Sequence, residues 1–387
     1  MNAVANRRLK VGIVCAPIHP VYGGPSAVVY SHYKALSRYA DVKIFGVVDE
    51  SQREFVKQLY PDAILTKRSW PRIWFRGDCL LRMLEDAAPE IDVFHVHMLW
   101  DHSVYATWKA SIKHSKPFIV TVHGTLSDSW RYTSLHKKIY KKMIVDHILR
   151  DAAAVHALNE SESVSIRSIY PNCNILTIPN AVDCDEIEGV LNEEYDYEIF
   201  PSTRGKRVFL YMGRIWGDKG LDILPEAWKI ASQSNNNSVL IIVGPDYNDY
   251  TEVLRRRIIA LGLSGSVKIL PSVHGLEKYR IMRAASVFLL PSKSEGFSMA
   301  LLEASGIGLP SIYSRECNFP ELAAVNGGIQ IDRTVEELAK AISRLNFATD
   351  SFLMEMGLNA RELVRCKFDI SVVGKGLMRV YKTILGN

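Results

Sequence analysis

Short runs that are apolar at nearly every position recur along this chain with helix-length segments between them, and that alternation restricts the fold more than any other feature. VGIVCAP, VKIFGVV, DVFHVHM, PFIVTVH, AAAVHAL and NILTIP occupy the first half, and RVFLYMG, SVLIIVG, SVKILP, ASVFLLP, LPSIYS and GGIQI the second. A strand without a polar face must be covered on both sides, as in a parallel sheet with crossover helices packed on each face. LDILPEAWKIASQ and LEKYRIMRAA are long enough to be such crossovers. The pattern predicts an α/β protein of two doubly wound, Rossmann-like domains. The polar, aperiodic stretch GVLNEEYDYEIFPSTRGK reads as the break between them, giving a first domain over 1–190, a linker over 191–206 and a second domain over 207–369.

A length of 387 residues leaves room for two cores, and 48% hydrophobic residues exclude a mainly disordered state. The net charge of +5 is small and spread over both halves, which argues against a nucleic-acid partner. Six cysteines are dispersed without a C-x-x-C pair or zinc-type spacing, the pattern of reduced thiols in a cytoplasmic protein. The first apolar run is short and ends at Pro17, so it reads as a buried strand and not as a secretion signal. No apolar stretch is long enough to span a membrane.

In doubly wound sheets, ligands bind beyond the carboxyl ends of the strands, where loops and helix N-termini present N–H groups. Gly23 and Gly24 follow the first strand and allow backbone to approach an anion or a sugar closely, although a plain tight turn explains the pair equally; Ser26 is the expected N-cap of the next helix. After RVFLYMG, the segment GRIWGDKGLD carries Arg214 and Lys219, a planar guanidinium and a mobile ammonium suited to a diphosphate. In ASVFLLPSKSEGFSMALLEASG, Glu295, Gly296 and Phe297 precede a helix whose first-turn amides near Ser298 and Met299 suit an anion, with Glu303 one to two turns inside. A carboxylate accepting two ribose hydroxyls explains Glu303. No G-x-G-x-x-G and no P-loop pattern is present, which weighs against dinucleotide oxidoreductases and P-loop enzymes. Asp183-Cys184-Asp185 spells D-x-D but is placed as a helix cap. His95 and His97 share one strand face, and with His123 they lack an accompanying carboxylate or cysteine, so they read as core or supporting histidines and not as metal ligands. Asn159 and Glu162 have capping-box spacing.

Taken in order, the Gly-Gly loop, His123-Gly124, GRIWGDKG and SEGFSMALLE resemble the retaining glycosyltransferase family 4, whose E-x7-E spacing appears as Glu295 and Glu303. IPNAVD, CNFPELAA and the ending FDISVVGKGLMRVYKTIL extend the resemblance over most of the chain. It implies the GT-B fold, with two Rossmann-like domains facing across a cleft and a terminal helix, residues 370–387, packing back on the first. It also implies that Arg214 and Lys219 bind the donor diphosphate, Glu303 the ribose and Glu295 the donor sugar near its reacting centre. Gly296, Phe297, Ser298 and Met299 belong to that donor loop, while Gly23, Gly24 and His123 close the site from the first domain. Ser298 stands where the family often has Gly, and SGIGLP replaces a Met-Ala-Cys-Gly-like segment.

The implied reaction passes through an oxocarbenium-like state without an enzyme nucleophile, using Glu295, His123, Arg214 and Lys219, with no cofactor and no metal. Its substrates are a nucleoside-diphosphate sugar (a UDP- or GDP-sugar) and a glycan acceptor, polyprenyl-linked, in surface polysaccharide synthesis. A nucleotide-sugar epimerase of similar fold and a non-catalytic nucleotide-sugar-binding module are the competing readings. One further feature bears on the acceptor. WRYTSLHKKIYKKMIVDHILR sets Arg131, Lys137, Lys138, Lys141, Lys142 and Arg150 against Asp146, with Leu135, Ile139, Met143 and Ile144 on the other face. TKRSWPRIWFRGDCLLR adds Lys67, Arg68, Arg72, Arg76 and Arg82 with Trp70, Trp74 and Phe75. The mixture suits peripheral docking on the inner face of an anionic membrane, and a solvated helix with a core-packed aromatic cluster explains it equally.

Overall fold

The computed structural model describes residues 7–126, 135–194, 203, 205–233 and 237–386. The chain divides into two compact units, one of Met1–Ala181 with Ile370–Asn387, the other Val182–Asp369. In the first unit β1 (Lys10–Pro17), β2 (Asp41–Val48), β3 (Ile64–Lys67), β4 (Val93–His97), β5 (Phe118–Thr121), β6 (Ala154–Ala157) and β7 (Ile175–Thr177) form one sheet in the order β3-β2-β1-β4-β5-β6-β7. In the second, β8 (Arg207–Met212), β9 (Ser238–Val243), β10 (Val267–Leu270), β11 (Val287–Leu290), β12 (Ser311–Ser314) and β13 (Gly328–Ile331) run β10-β9-β8-β11-β12-β13. Every pairing in both sheets is parallel. Both sheets are doubly wound, so their strand order reverses between β1 and β4 and between β8 and β11, the places where such sheets take ligands.

The apolar runs explain the layering. Along β1, Val11 and Ile13 pack into one apolar cluster and Val14 into another, so the strand is buried on both faces. β3 was not among the expected strands: ILTK is only four residues long, lies at the sheet edge and ends on Lys67. The helix Ile370–Ile384 belongs to the first unit and crosses the helix Gly24–Ser37 so closely that a Cβ on Gly374 would lie 2.7 Å from the Ala35 carbonyl oxygen. Tyr381 on that helix is fully buried against the sheet.

Two local expectations are revised. The units part at Ala181/Val182 and not at 190, because the helix Cys184–Leu191 packs on Glu277–Arg283 and Met299–Ile307, and Arg283 donates to the carbonyls of Val190 and Glu193 at 2.7 and 3.0 Å. Residues 195–202 and 204 of the expected linker lie outside the described residues. The helix after β1 starts at Gly24 with Gly23 as its N-cap, and Ser26 sits in its first turn, its Oγ donating to the Gly23 carbonyl at 2.7 Å. Among the described residues no helix is long and apolar enough to cross a membrane.

Candidate active site

In the second unit the loops after β8 and β11 leave neighbouring strands at the reversal point and are bound to each other. Lys293 N–H donates to the Asp218 carbonyl at 2.7 Å, and Gly220 approaches Pro291 at a φ of 95°. This clasp brings Lys219 Nζ to within 2.7 Å of Glu295 Oε1, with both side chains mostly buried. Glu295 is fixed further along its backbone, where its N–H donates to Glu316 O at 3.0 Å and its carbonyl accepts from Asn318 Nδ2 at 2.7 Å. Arg214 is exposed in the same β8 loop, its guanidinium 5.4 Å from the Tyr247 ring centre, and it forms no ion pair with a described residue.

Ser298 is the N-cap of Met299–Ile307 and accepts from the Leu301 N–H at 3.3 Å. The first helical bond runs from Leu302 N–H to Ser298 O, so the Met299 and Ala300 N–H groups precede the helix ladder and form its anion-attracting end. Glu303, buried one turn on, pairs with Lys278 Nζ at 2.5 Å. Each carboxylate of the E-x7-E pair is thus neutralised by its own lysine. Lys278 was missed from sequence because LEKYRIMRAA carries no signal beyond a crossover helix. Phe297 is packed against Phe319 and Phe368, at ring separations of 5.1 and 5.6 Å, so its side chain is buried beneath the loop and anchors it. Gly296 joins Glu295 to that anchor.

In the first unit, Gly23 has φ 87° and ψ −137°, a conformation that favours glycine, whereas a Cβ on Gly24 would meet nothing within 4 Å. His123 follows β5 in a left-handed conformation, φ 52°, and its ring Nε2 lies 3.0 Å from His97 Nδ1. Glu162 secures that turn: its carboxylate accepts the Gly124 N–H and, at 2.6 Å, the Leu158 N–H. Asn159 Oδ1 caps Glu162 N–H as the spacing predicts, but the Glu162 carboxylate turns to the His123 loop, not back to residue 159 as a capping box requires. Asp183 is a helix cap, accepting from the N–H groups of Asp185 and Glu186 at 3.1 and 3.3 Å.

His32, from the helix after β1, joins His95, His97, His123 and His156 in a cluster of imidazoles. Burial lowers all five pKa values, His123 to about 3 and His156 to about 4, so the rings are neutral at neutral pH. One chain of bonds runs through the cluster. His156 Nε2 must donate to the Ile178 carbonyl, so Thr121 Oγ1 donates to His156 Nδ1 and accepts from His95 Nε2, and the Tyr381 hydroxyl donates to His95 Nδ1. His95 therefore spends both nitrogens on hydroxyls, leaving His32 and His97 with unbonded ring nitrogens within the cluster.

Asp101, in the loop after β4, caps the helix His102–Lys113 by accepting from Ser103 N–H at 2.8 Å and Ser103 Oγ at 2.5 Å. Its Oδ2 is buried without a partner among the described residues, and desolvation raises its pKa to about 6. The folded value exceeds the ordinary one of about 4, so the native state holds an extra proton between about pH 4 and 6. Stability therefore falls as pH rises through that interval, by roughly 3 kcal/mol at most, and the deficit is complete above it. Asp101→Asn keeps a capping oxygen without the charge: thermal melts should find it more stable than the wild type at about pH 8, with the difference largely gone at about pH 4.

Two doubly wound units, one with cations and paired carboxylates gathered where its strand order reverses, define the class of GT-B glycosyltransferases. The fold matches the crystal structure of Anabaena Alr3699/HepE in complex with UDP and glucose at a TM-score of 0.80, covering 97% of this chain and 100% of that one at 18% identity. The model for "Glycosyl transferases group 1" matches residues 194–362 and that for "Glycosyltransferase Family 4" residues 22–186. The chain thus carries, in order, a family 4 and a group 1 glycosyltransferase domain. It is 30% identical over 206 residues, half of each chain, to the Escherichia coli UDP-Gal:alpha-D-GlcNAc-diphosphoundecaprenol alpha-1,3-galactosyltransferase. It is 27% identical over 353 residues, 89% of each chain, to the GDP-mannose:cellobiosyl-diphosphopolyprenol alpha-mannosyltransferase of Xanthomonas oryzae pv. oryzae.

Proposed function

We propose that the protein transfers a sugar, with retention of anomeric configuration, from a UDP- or GDP-sugar to a polyprenyl-diphosphate-linked glycan used in surface polysaccharide synthesis. The observation that carries this reading is the clasp of the β8 and β11 loops, which sets Lys219 against Glu295, with the exposed Arg214 in the same β8 loop and the N-terminus of Met299–Ile307 just after Glu295. Arg214 and Lys219 bind the diphosphate, Glu303 the ribose and Glu295 the donor sugar; on the first unit, His123 and the Gly23-Gly24 turn bind substrate beyond β5 and β1. The named activities of the two relatives, both acting on diphospholipid-linked sugars, support the acceptor class.

Two cations and a helix N-terminus offset the charge that builds on the departing diphosphate, so no divalent ion is needed there. Initial rates in excess Mg2+ and in EDTA should agree within about twofold; a strict Mg2+ requirement contradicts the assignment. The transfer itself is tested by incubating the chain with UDP- and GDP-sugars, with and without a polyprenyl-diphosphate-linked sugar in micelles. Acceptor-dependent nucleotide release and an NMR spectrum of the same anomeric configuration in donor and product are expected. Conversion of the sugar without acceptor means an epimerase.

Membrane docking is part of the same reading. Trp74 Nε1 donates to the Tyr140 hydroxyl at 3.2 Å, joining the segment around residue 74 to the helical stretch around residue 140. Trp70 is 80% exposed and Ile73 91%, with Ile139 and Met143 also exposed among Arg72, Lys138 and Lys142. Trp74 and Phe75 are the packed members of the aromatic group and Trp70 is not. Arg131 lies outside the described residues. In sedimentation with anionic vesicles, Trp70→Asp combined with Ile73→Asp should weaken partitioning about tenfold or more; equal sedimentation of both proteins removes the membrane from the account.

A further inference from the structure

The ring of His123 is held at one nitrogen, Nε2, by His97 Nδ1 at 3.0 Å. A single proton lies between these two neutral rings, and it can belong to either. If His97 donates, its Nε2 keeps a bare lone pair and His123 carries its own proton on Nδ1. If His123 donates, His97 must carry an N–H on Nε2. That Nε2 is buried with no partner among the described residues, and the His97 ring lies 5.2 and 4.7 Å, centroid to centroid, from the rings of His32 and His95. His32 also carries unbonded ring nitrogens, but none of them forms a hydrogen bond with His97 Nε2, and the His95 nitrogens are committed to Thr121 and Tyr381. A buried N–H without an acceptor is rarer and costlier than an unbonded lone pair, so the first arrangement is favoured.

We infer that His97 is a positioning residue whose Nδ1–H fixes His123 in the Nδ1–H tautomer, so that His123 offers the substrate a hydrogen-bond donor and not a base. This rests on the reading that His123 takes part in transfer. His97 comes from β4 and His123 from the turn after the adjacent β5, so the bond is set by the sheet register that pairs His97 with Thr121. Glu162 fixes the backbone of the same turn through Gly124 N–H, leaving the ring's rotation and proton to His97. An N–H aimed at a sugar oxygen suits a reaction in which hydroxyl positions are held while charge develops elsewhere.

The test is nitrogen-15 NMR of the full chain labelled at histidine, with the His123 imidazole assigned by its loss in His123→Ala. Protonation of wild-type His123 at Nδ1 is expected; protonation at Nε2 overturns the inference without any variant. His97→Leu should turn His123 into a mixture of tautomers and lower kcat about tenfold or more, with KM for the nucleotide sugar little changed, and His97→Asn, which restores an N–H, should recover most of it. Unchanged kcat and tautomer in a folded His97→Leu also overturn it. If His123→Ala turns over normally, the reading of His123 in transfer fails, and the wild-type tautomer still decides whether His97 sets the proton.

Discussion

Arg214→Ala and Lys219→Ala should each lower kcat/KM for the nucleotide sugar by about 100- to 1,000-fold. One cation 4 Å from a diphosphate charge is worth roughly 4 kcal/mol at an effective dielectric of about 20, before desolvation, and each 1.4 kcal/mol or so is tenfold in rate. The two variants should differ in stability. Arg214 is exposed and makes no ion pair with a described residue, so its removal leaves the melting temperature within about a degree or two. Lys219 neutralises Glu295, whose side chain is only 14% exposed, and its loss leaves a largely buried carboxylate alone. Adding Glu295→Gln to Lys219→Ala should restore the melting temperature without restoring turnover. Thermal melts beside initial rates check both, and near-normal turnover in Arg214→Ala removes the diphosphate assignment.

Gly220→Ala should be strongly damaging to the second unit. At a φ of 95° an added Cβ would lie 2.4 Å from the Pro291 carbonyl oxygen and 2.5 Å from Pro291 Cγ, so strain and collision add. Left-handed backbone at a residue with a side chain costs roughly 1–2 kcal/mol, and the collision is with backbone that Arg333 Nε also holds, at 3.1 Å from the same oxygen. A loss of about 3 kcal/mol corresponds to some 6–12 °C for a unit of this size. Because the displaced contact is the clasp between the β8 and β11 loops, nucleotide affinity should fall with stability. Gly265→Ala is the control, since its Cβ enters open space and the residue lies outside the proposed site. Differential scanning fluorimetry with and without nucleotide separates the two, and a Gly220→Ala protein with wild-type melting and affinity contradicts the clasp.

The sheets were legible because a strand buried on both faces must be apolar at nearly every position, and β8, β9 and β11 are. β3 was not, because an edge strand of four residues, with only Ile64 and Leu65 apolar, is too short a run to stand out. The loop that carries Glu295 was legible as a segment but not as contacts. Glu295 and Lys219 are far apart in sequence, and their pairing depends on β8 and β11 being neighbours, which only the strand order decides. Phe297 shares a motif with Glu295 yet faces the Phe319 and Phe368 rings, because the loop turns between them. Lys278 and His32 left no motif at all: each lies on a helix whose packing partner is distant in sequence. The unit boundary was misplaced for the same reason, as Cys184–Leu191 is amphipathic and only its neighbours reveal which core it covers.

The most direct test of the central claim, a nucleoside-diphosphate site in the second unit, is isothermal calorimetry of UDP, GDP and ADP without added metal. It should be run on the wild type and on Arg214→Ala. One nucleotide should bind the wild type in preference to the other two, and Arg214→Ala should bind it at least about tenfold more weakly. Binding of none of the three, or equal binding by Arg214→Ala and the wild type, would contradict the account.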